Sequence, residues 1–306
     1  MKIAVPDLIS NSYFPALAAV ELGFFAREGL DMALELIFPV DRAYLALANG
    51  RVDFIAGSAH AALSAFPRWS GAKLICAQAR GMYWFLVMHA RLNPRRGDLS
   101  VIKGRHIGAA PWVDMGLRQL LRDAGYDLAR DQIKIAAVSG ATESKVNFGL
   151  AAANALEDGT IDGFWANGMG AELAVRRGVG TVVIDVRRGD GPKRCFNYTL
   201  ASIATTDRLI KASPEAAAAT VRAIVATQKA LSADPERATE VGRNLFPCEE
   251  ASLIAELVRR DTPFYDAAIK PDVITGMNQF ARDCGILDQN IAYEQVVAQE
   301  LTRCWQ

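Results

Sequence analysis

The sequence predicts an α/β protein made of two similarly built lobes in series, and three observations carry that expectation. Short β-rich runs alternate with helical stretches through the first half, a helix–glycine–strand segment recurs 109 residues downstream, and the pattern beyond Thr205 turns almost wholly helical. At roughly 150 residues per domain, a chain of 306 residues has room for two domains and ample core.

In order along the chain, residues 2–5 read as a strand, 15–28 as an amphipathic helix, 32–38 as a strand and 41–49 as a helix. Residues 52–56 and 73–77 then read as strands, a succession that favours a largely parallel sheet with its binding loops at the carboxyl ends of the strands. The echo is Ala46-Leu47-x-x-Gly50-x-Val52-Asp53 against Ala155-Leu156-x-x-Gly159-x-Ile161-Asp162. In each copy a helix should end at a glycine in the left-handed cap position, with an acidic residue at the entry of a short apolar strand. Looser echoes pair residues 71–75 with 178–184 and 28–31 with 124–127. Such punctuation is common in α/β proteins, but its repetition favours two lobes of one design. In the last third, Ser213-Pro214-Glu215 and Asp234-Pro235-Glu236 place a capping residue before a proline at the first helical position. Further helices are expected over 249–260, 272–283 and 293–303, packed onto an existing lobe because no flexible linker precedes them.

Composition excludes several classes. Hydrophobic residues make up 51% and charged residues 22%, a globular balance and not a disordered one. Lys+Arg and Asp+Glu are both 34, so there is no basic excess to follow a phosphate backbone, and nucleic acid is not an expected partner. The longest stretch free of Asp, Glu, Lys and Arg, residues 54–67, is 14 residues long and holds Ser58, His60 and Ser64, too short and polar for a spanning helix; no membrane insertion is expected. The opening Met1-Lys2-Ile3-Ala4-Val5-Pro6-Asp7 has no apolar core of a signal peptide, so a cytoplasmic location is expected if Met1 is the native start. The five cysteines, Cys76, Cys195, Cys248, Cys284 and Cys304, show no C-x-x-C spacing and point to neither a disulfide framework nor a zinc site.

A resemblance emerges from longer runs. Ala18-Ala19-Val20-Glu21-Leu22-Gly23-Phe24-Phe25-Ala26-Arg27-Glu28-Gly29-Leu30-Asp31, followed by Ala46-Leu47-Ala48-Asn49-Gly50-Arg51-Val52-Asp53-Phe54, resembles the opening of type II periplasmic solute-binding proteins. The branch is that of nitrate, sulfonate, taurine and thiamine-pyrimidine-precursor import by ABC transporters. Asp98-Leu99-x-x-Ile102-Lys103-Gly104-x-x-Ile107-Gly108 is similar to the segment that starts the second lobe there. The resemblance implies two lobes joined by two crossover strands, a ligand cleft between them, and C-terminal helices returning to the first lobe. From the echo at 109 residues, residues 1–88 with 200–306 are expected as one lobe and 89–199 as the other, with crossings near Met88 and Tyr198. The resemblance also implies a permease as partner and a periplasmic location if a signal peptide has been removed. Enzymes share the scaffold, including pyrimidine synthases, whose clustered cysteines are not found here, and decarboxylases or dehydratases of small aromatic acids.

Candidate binding residues lie where strands end. Ser10-Asn11-Ser12-Tyr13-Phe14 falls between the first strand and first helix, where backbone N–H groups favour an anionic group; Asn11 and Tyr13 are candidates, against a plain turn stapled by Phe14. Gly57-Ser58-Ala59-His60 occupies the equivalent place after the third strand, with Ser58 as a hydrogen-bond donor and His60 as either ligand contact or local partner of a carbonyl. Arg80, just beyond a strand, is suited to a bidentate bond with a carboxylate or sulfonate, against a solvated loop charge.

On the second lobe, Pro111-Trp112-Val113-Asp114-Met115 precedes a helix, so Trp112 and Asp114 are candidates, with Asp114 alternatively the helix cap. Trp84 joins Trp112 as a candidate aromatic wall, against core packing. The tryptophan at the tail, Trp305, is not expected at any cleft. Ser139-Gly140-Ala141-Thr142-Glu143-Ser144-Lys145 is a polar loop at a strand end, and Asn167 stands where Ser58 does in the echo. Gly168-Met169-Gly170 lacks the third glycine of a dinucleotide loop at Leu173, and no cofactor is expected. There is no G-x-S-x-G elbow and no H-E-x-x-H pair, and the three histidines, His60, His89 and His106, are isolated; no catalytic or metal-binding residue is assigned.

The sequence therefore favours a small-molecule receptor of an ABC importer, binding an organic ligand that is aromatic, heteroaromatic or anionic. A cytoplasmic lyase or decarboxylase, or a cytoplasmic ligand sensor, is the alternative. Asn11 and Ser58 from one lobe, with Trp112 and Asn167 from the other, are expected to converge on one cleft.

Overall fold

The computed structural model describes residues 1–141 and 147–306. The chain divides into two compact units: Met1–Gly81 with Asn197–Gln306, and Met82–Phe196.

The first unit contains β1 (Lys2–Val5), α1 (Phe14–Glu21), α2 (Phe24–Arg27), β2 (Ala33–Leu36), α3 (Val40–Ala48), β3 (Phe54–Ser58) and β4 (Ala72–Ala79). The second contains β5 (Phe85–His89), β6 (His106–Ala109), α4 (Asp114–Asp123), β7 (Lys134–Ala136), α5 (Phe148–Glu157), β8 (Gly163–Ala166), α6 (Gly168–Arg176) and β9 (Gly180–Asp185). The chain then returns to the first unit through β10 (Ala201–Thr206), α7 (Asp207–Ala212), α8 (Pro214–Ala233), α9 (Arg237–Leu245), α10 (Cys248–Asp261), α11 (Pro271–Asp283) and α12 (Tyr293–Val296).

Each unit holds one five-stranded sheet, ordered β2-β1-β3-β10-β4 in the first and β7-β6-β8-β5-β9 in the second. The orders match position for position. In each, the fourth strand runs antiparallel to both neighbours, and in each it is the first strand the chain forms after leaving the other unit. The copies of the echo lead into β3 and β8, which lie in different sheets. The register agrees: Ile3 faces Phe54 across β1 and β3, and Ile107 faces Gly163 across β6 and β8. Strand residues 85–88, placed in the first lobe from the sequence, hydrogen-bond with β8 and β9 of the second unit.

Local chemistry explains the repeated helix ends. Gly50 and Gly159 both adopt φ +71°. Beyond them, Arg51 N–H reaches Ala46 O at 2.9 Å and Thr160 N–H reaches Ala155 O at 3.0 Å, the six-to-one bond of a left-handed C-cap. The helix expected over 15–28 is instead two helices, because Gly23 takes φ +71° and breaks the run after Glu21. Ser213 precedes Pro214 as expected but makes no side-chain cap bond, whereas Asp234 Oδ1 accepts the Glu236 N–H at 3.1 Å. The last expected helix shortens to α12 followed by a 3-10 turn at Gln299–Cys304, and Trp305 Nε1 donates to Ile75 O at 2.8 Å, tying the tail to β4.

The long helix α8 packs on α1, α2 and β4. Its buried Gln228 donates to Ala77 O and Gln78 O, so a polar side chain inside the core is matched by main-chain carbonyls. In the second unit α5 and α6 meet at two glycines: a Cβ on Gly170 would stand 2.6 Å from Gly149 O.

Candidate functional site

The carboxyl edge of the first sheet gathers the residues that follow β1, β3 and β4. After β1 the loop folds on itself, with Ser12 N–H donating to Ser10 Oγ at 3.0 Å, and delivers Asn11 and Ser12 into fully enclosed positions, 3% and 2% exposed. Asn11 Nδ2 donates to Asp261 Oδ2 at 2.7 Å, a buried bond to the last residue of α10. Asn11 Oδ1 and Ser12 Oγ have no hydrogen-bond partner among the described residues. Tyr13, 5% exposed, is the residue before α1 and accepts Ala16 and Leu17 N–H through its carbonyl.

The expected anion-favouring start of α1 is not borne out in its geometry. Phe14 N–H goes to Asn11 O, Pro15 has no N–H, Ala16 N–H reaches the buried Gln78 Oε1 at 3.1 Å, and Leu17 N–H goes to Tyr13 O. The donors that would hold an anion are taken by the chain itself.

After β3, Ser58 is 1% exposed; its carbonyl accepts Tyr44 OH at 3.2 Å while its Oγ has no partner among the described residues. His60 is wholly buried, its Nδ1 2.9 Å from Thr199 Oγ1 and its ring edge-on to Phe280 at 5.4 Å. It is packed and hydrogen-bonded as part of the core beside Tyr198, which stacks on the same Phe280 at 4.6 Å. After β4, Arg80 is held by the segment following α10. Its N–H donates to Phe264 O at 2.8 Å, its Nη2 donates to Pro263 O at 3.2 Å, and its Nε lies 3.7 Å from Asp266 Oδ2. Asp266 thus lies within ion-pair distance of Arg80, while Arg80 Nε has no hydrogen-bond partner among the described residues.

The carboxyl edge of the second sheet is aromatic. Trp84, just before β5, is buried between Tyr83, at 5.0 Å, and Trp165 of β8, at 6.3 Å, and its ring abuts Gly116 of α4. The Arg187 guanidinium lies 5.6 Å above the Tyr83 ring. Trp112 is half-buried and takes φ +67°, a left-handed conformation uncommon for a bulky residue. Asp114 opens α4 and accepts from Arg118 Nε at 2.7 Å, and Arg118 Nη2 continues to Ile135 O at 2.9 Å. Asn167 caps α6, its Oδ1 accepting Gly170 N–H at 3.1 Å. Asn147 caps α5 in the same way. Of the expected polar loop 139–145, residues 142–145 lie outside the described residues.

Sequence reasoning did not single out Asp261, Ser12 or Trp165 as candidates. Among the described residues no group of three His, Cys, Asp or Glu side chains is placed to hold a metal ion, and no helix is long and apolar enough to cross a membrane.

Residues 10–238 match the family described as NMT1/THI5 like, the greater part of the chain. The chain belongs to that family. The NMT1/THI5-like chain also has the two-lobed fold of periplasmic binding proteins. A protein of Bordetella bronchiseptica RB50 superposes with a TM-score of 0.75 at 19% identity, covering 99% of this chain and 95% of that one. The periplasmic aliphatic sulphonate binding protein SsuA from Escherichia coli gives a TM-score of 0.71 at 13% identity over 100% and 99% of the two chains. The desulfurization enzyme DSZB gives 0.65 at 15% identity over 99% and 98%. Comparison with curated proteins finds no match to this NMT1/THI5-like chain.

Proposed function

We propose that this chain is the solute-binding component of an ABC-type importer, holding a small organic molecule at the carboxyl edges of its sheets. The observation that carries the reading is that each sheet's carboxyl edge holds enclosed polar side chains, Asn11, Ser12 and Ser58 at the first and Asn167 at the second, and that the second also carries the aromatic cluster of Tyr83, Trp84 and Trp165. Polar groups that fix orientation beside flat apolar faces are the usual division of labour in a small-molecule site. Full-length likeness to a sulphonate-binding protein supports the same reading. In this role the ligand is carried unchanged, the partner is a membrane permease, and the working location is outside the cytoplasmic membrane.

Native mass spectrometry of the purified protein tests the proposal. A co-purified small molecule that is released intact on denaturation, and that changes the tryptophan fluorescence when added back, is the expected result. Conversion of that molecule to a product would instead favour the enzyme that the same scaffold also supports.

A further inference from the structure

We infer that the amino edge of the second unit's sheet is an oxyanion site, taking a phosphate group between Arg91 and Arg105 with Lys134 beside them. This edge is the end of the sheet opposite Trp84, Asn167 and the other candidate ligand residues, so the site stands whether or not the receptor reading does.

Strand pairing lines the groups up. Along the order β7-β6-β8-β5, Lys134 begins β7 opposite His106 of β6, Arg105 precedes β6, Asp162 precedes β8, and β5, running the other way, ends at His89 with Arg91 just beyond. The His89 ring pins that last turn, its Nδ1 accepting the Arg91 N–H at 3.2 Å. Both guanidiniums then lean on one oxygen atom: Arg91 Nη2 is 3.5 Å and Arg105 Nη1 3.8 Å from Asp162 Oδ1, while Asp162 Oδ2 accepts the His106 N–H at 3.1 Å. Neither guanidinium contact is as short as a charge-assisted hydrogen bond, about 2.7–2.9 Å. Arg105 Nε and His106 Nε2 are enclosed with no hydrogen-bond partner among the described residues, and the exposed Lys134 ammonium has none either. Buried polar atoms normally find partners. One carboxylate thus stands against three permanent cations, and donors are left over.

The first unit shows the same edge without the surplus. Asp53 stands there where Asp162 does, and Arg208 lies over Gly50 as Arg91 lies over Gly159, their guanidinium nitrogens 2.9 and 3.3 Å from where a Cβ on each glycine would be. An arginine over a helix C-cap is explained by the helix end alone. In the first unit, however, Glu35 of β2 takes Lys2 Nζ at 2.6 Å and lies 3.5 Å from Arg51 Nη2. The matching register positions on β7 hold Ala136 in place of Glu35 and Lys134 in place of Ala33. The second unit therefore has one carboxylate fewer and one cation more on that strand.

A phosphate group suits the place. One tetrahedral oxyanion is wide enough to reach two guanidiniums that already share a single oxygen atom, and planar guanidinium forks match its oxygens. Its charge of about −1.5 to −2 at neutral pH exceeds what one spare guanidinium offsets, and Lys134 on the adjacent strand supplies the rest.

The test is a titration of the full chain with sodium phosphate at constant ionic strength, with sodium chloride as the blank, followed through arginine Nε–Hε and backbone amide NMR signals. Saturable shifts at Arg105 Nε–Hε and at the amides of residues 89–91 and 105–106 are expected with phosphate and not with chloride. Arg105→Gln and Lys134→Gln should each weaken phosphate about 5-fold or more, read at the remaining signals. Lys134→Gln, at an exposed side chain, carries the test if Arg105→Gln does not fold, and Arg208→Gln, the first-unit counterpart of Arg91, should leave the affinity unchanged. Sedimentation with vesicles of phosphatidylglycerol in phosphatidylcholine separates the sources. Co-sedimentation that is lost in Lys134→Gln assigns the phosphate to a lipid headgroup, and phosphate binding without co-sedimentation assigns it to a small molecule. Equal shifts with chloride, or equal phosphate affinity in wild type and Lys134→Gln, would overturn the site.

Discussion

Asp53 and Lys2 bond to each other twice: the Asp53 carboxylate accepts the Lys2 N–H at 2.7 Å, and the Lys2 carbonyl accepts the Asp53 N–H at 2.9 Å. Asp162 and His106 repeat the arrangement in the other unit, at 3.1 and 2.8 Å. The acidic residue of the repeated segment thus ties the first residue of the adjacent parallel strand, which is why both copies keep it at that spacing. Asp53→Ala and Asp162→Ala should each lower stability by about 1 kcal/mol, the scale of one hydrogen bond. Denaturant midpoints at unchanged slope would check it; no loss in either variant would make the pairing incidental.

Gly170→Ala should be more damaging, since its Cβ would come within 2.6 Å of Gly149 O, a main-chain atom that cannot rotate away. Overpacking of this kind costs roughly 1–3 kcal/mol. The expected readout is a lowered melting temperature, with Gly178→Ala no model for it, because Gly178 has open space around it and a φ of +70° that would strain the alanine backbone instead.

Asn167 carries two separable roles. As the cap of α6 it should cost about 1 kcal/mol when replaced by alanine, and almost nothing when replaced by serine, which also caps. Its proposed ligand contact is therefore read in Asn167→Ser, which should weaken the co-purified ligand roughly 5- to 150-fold, the equivalent of 1–3 kcal/mol. Unchanged affinity in both Asn167→Ser and Trp112→Ala would remove these residues from the ligand site.

Acid should loosen one corner of the second unit. The Arg130 guanidinium, with the Asp127 N–H and Lys103, holds the Asp131 carboxyl well below the usual carboxylate range. A group lowered on folding adds stability above its unfolded value of about 3.9, and that stability fades as pH falls toward the folded value. The melting-temperature gap between wild type and Asp131→Asn should be full above about pH 5 and shrink below pH 4. A gap independent of pH would show that the charge contributes nothing.

What the sequence made legible was local. Gly50 and Gly159 could be read as left-handed caps because the apolar spacing before them and the strand after them lie within ten residues. The parallel order of β1, β2 and β3 followed from the same alternation. Contacts between distant segments were not legible. Asn11 and Asp261 are 250 residues apart, and no periodicity links them. Likewise, Gln78 silences the start of α1 only because β4 comes to lie beside that helix. Arg80 read as available for a ligand for the same reason, its partners being in the segment after α10.

The place of β10 bears on how the protein is made. Among the described residues β4 has no strand partner within 1–81; it joins its sheet only across β10, whose residues 201–206 come after the whole of the other unit. The second unit, by contrast, is one unbroken stretch, Met82–Phe196, and holds all five strands of its own sheet. During N-to-C synthesis the later segment can therefore finish before the earlier one, and the first unit stays open, with one strand waiting, until the chain has returned. A fragment ending at residue 196 should accordingly protect the amides of β6 and β8 from exchange but not those of β4, and protection of β4 in that fragment would refute the order.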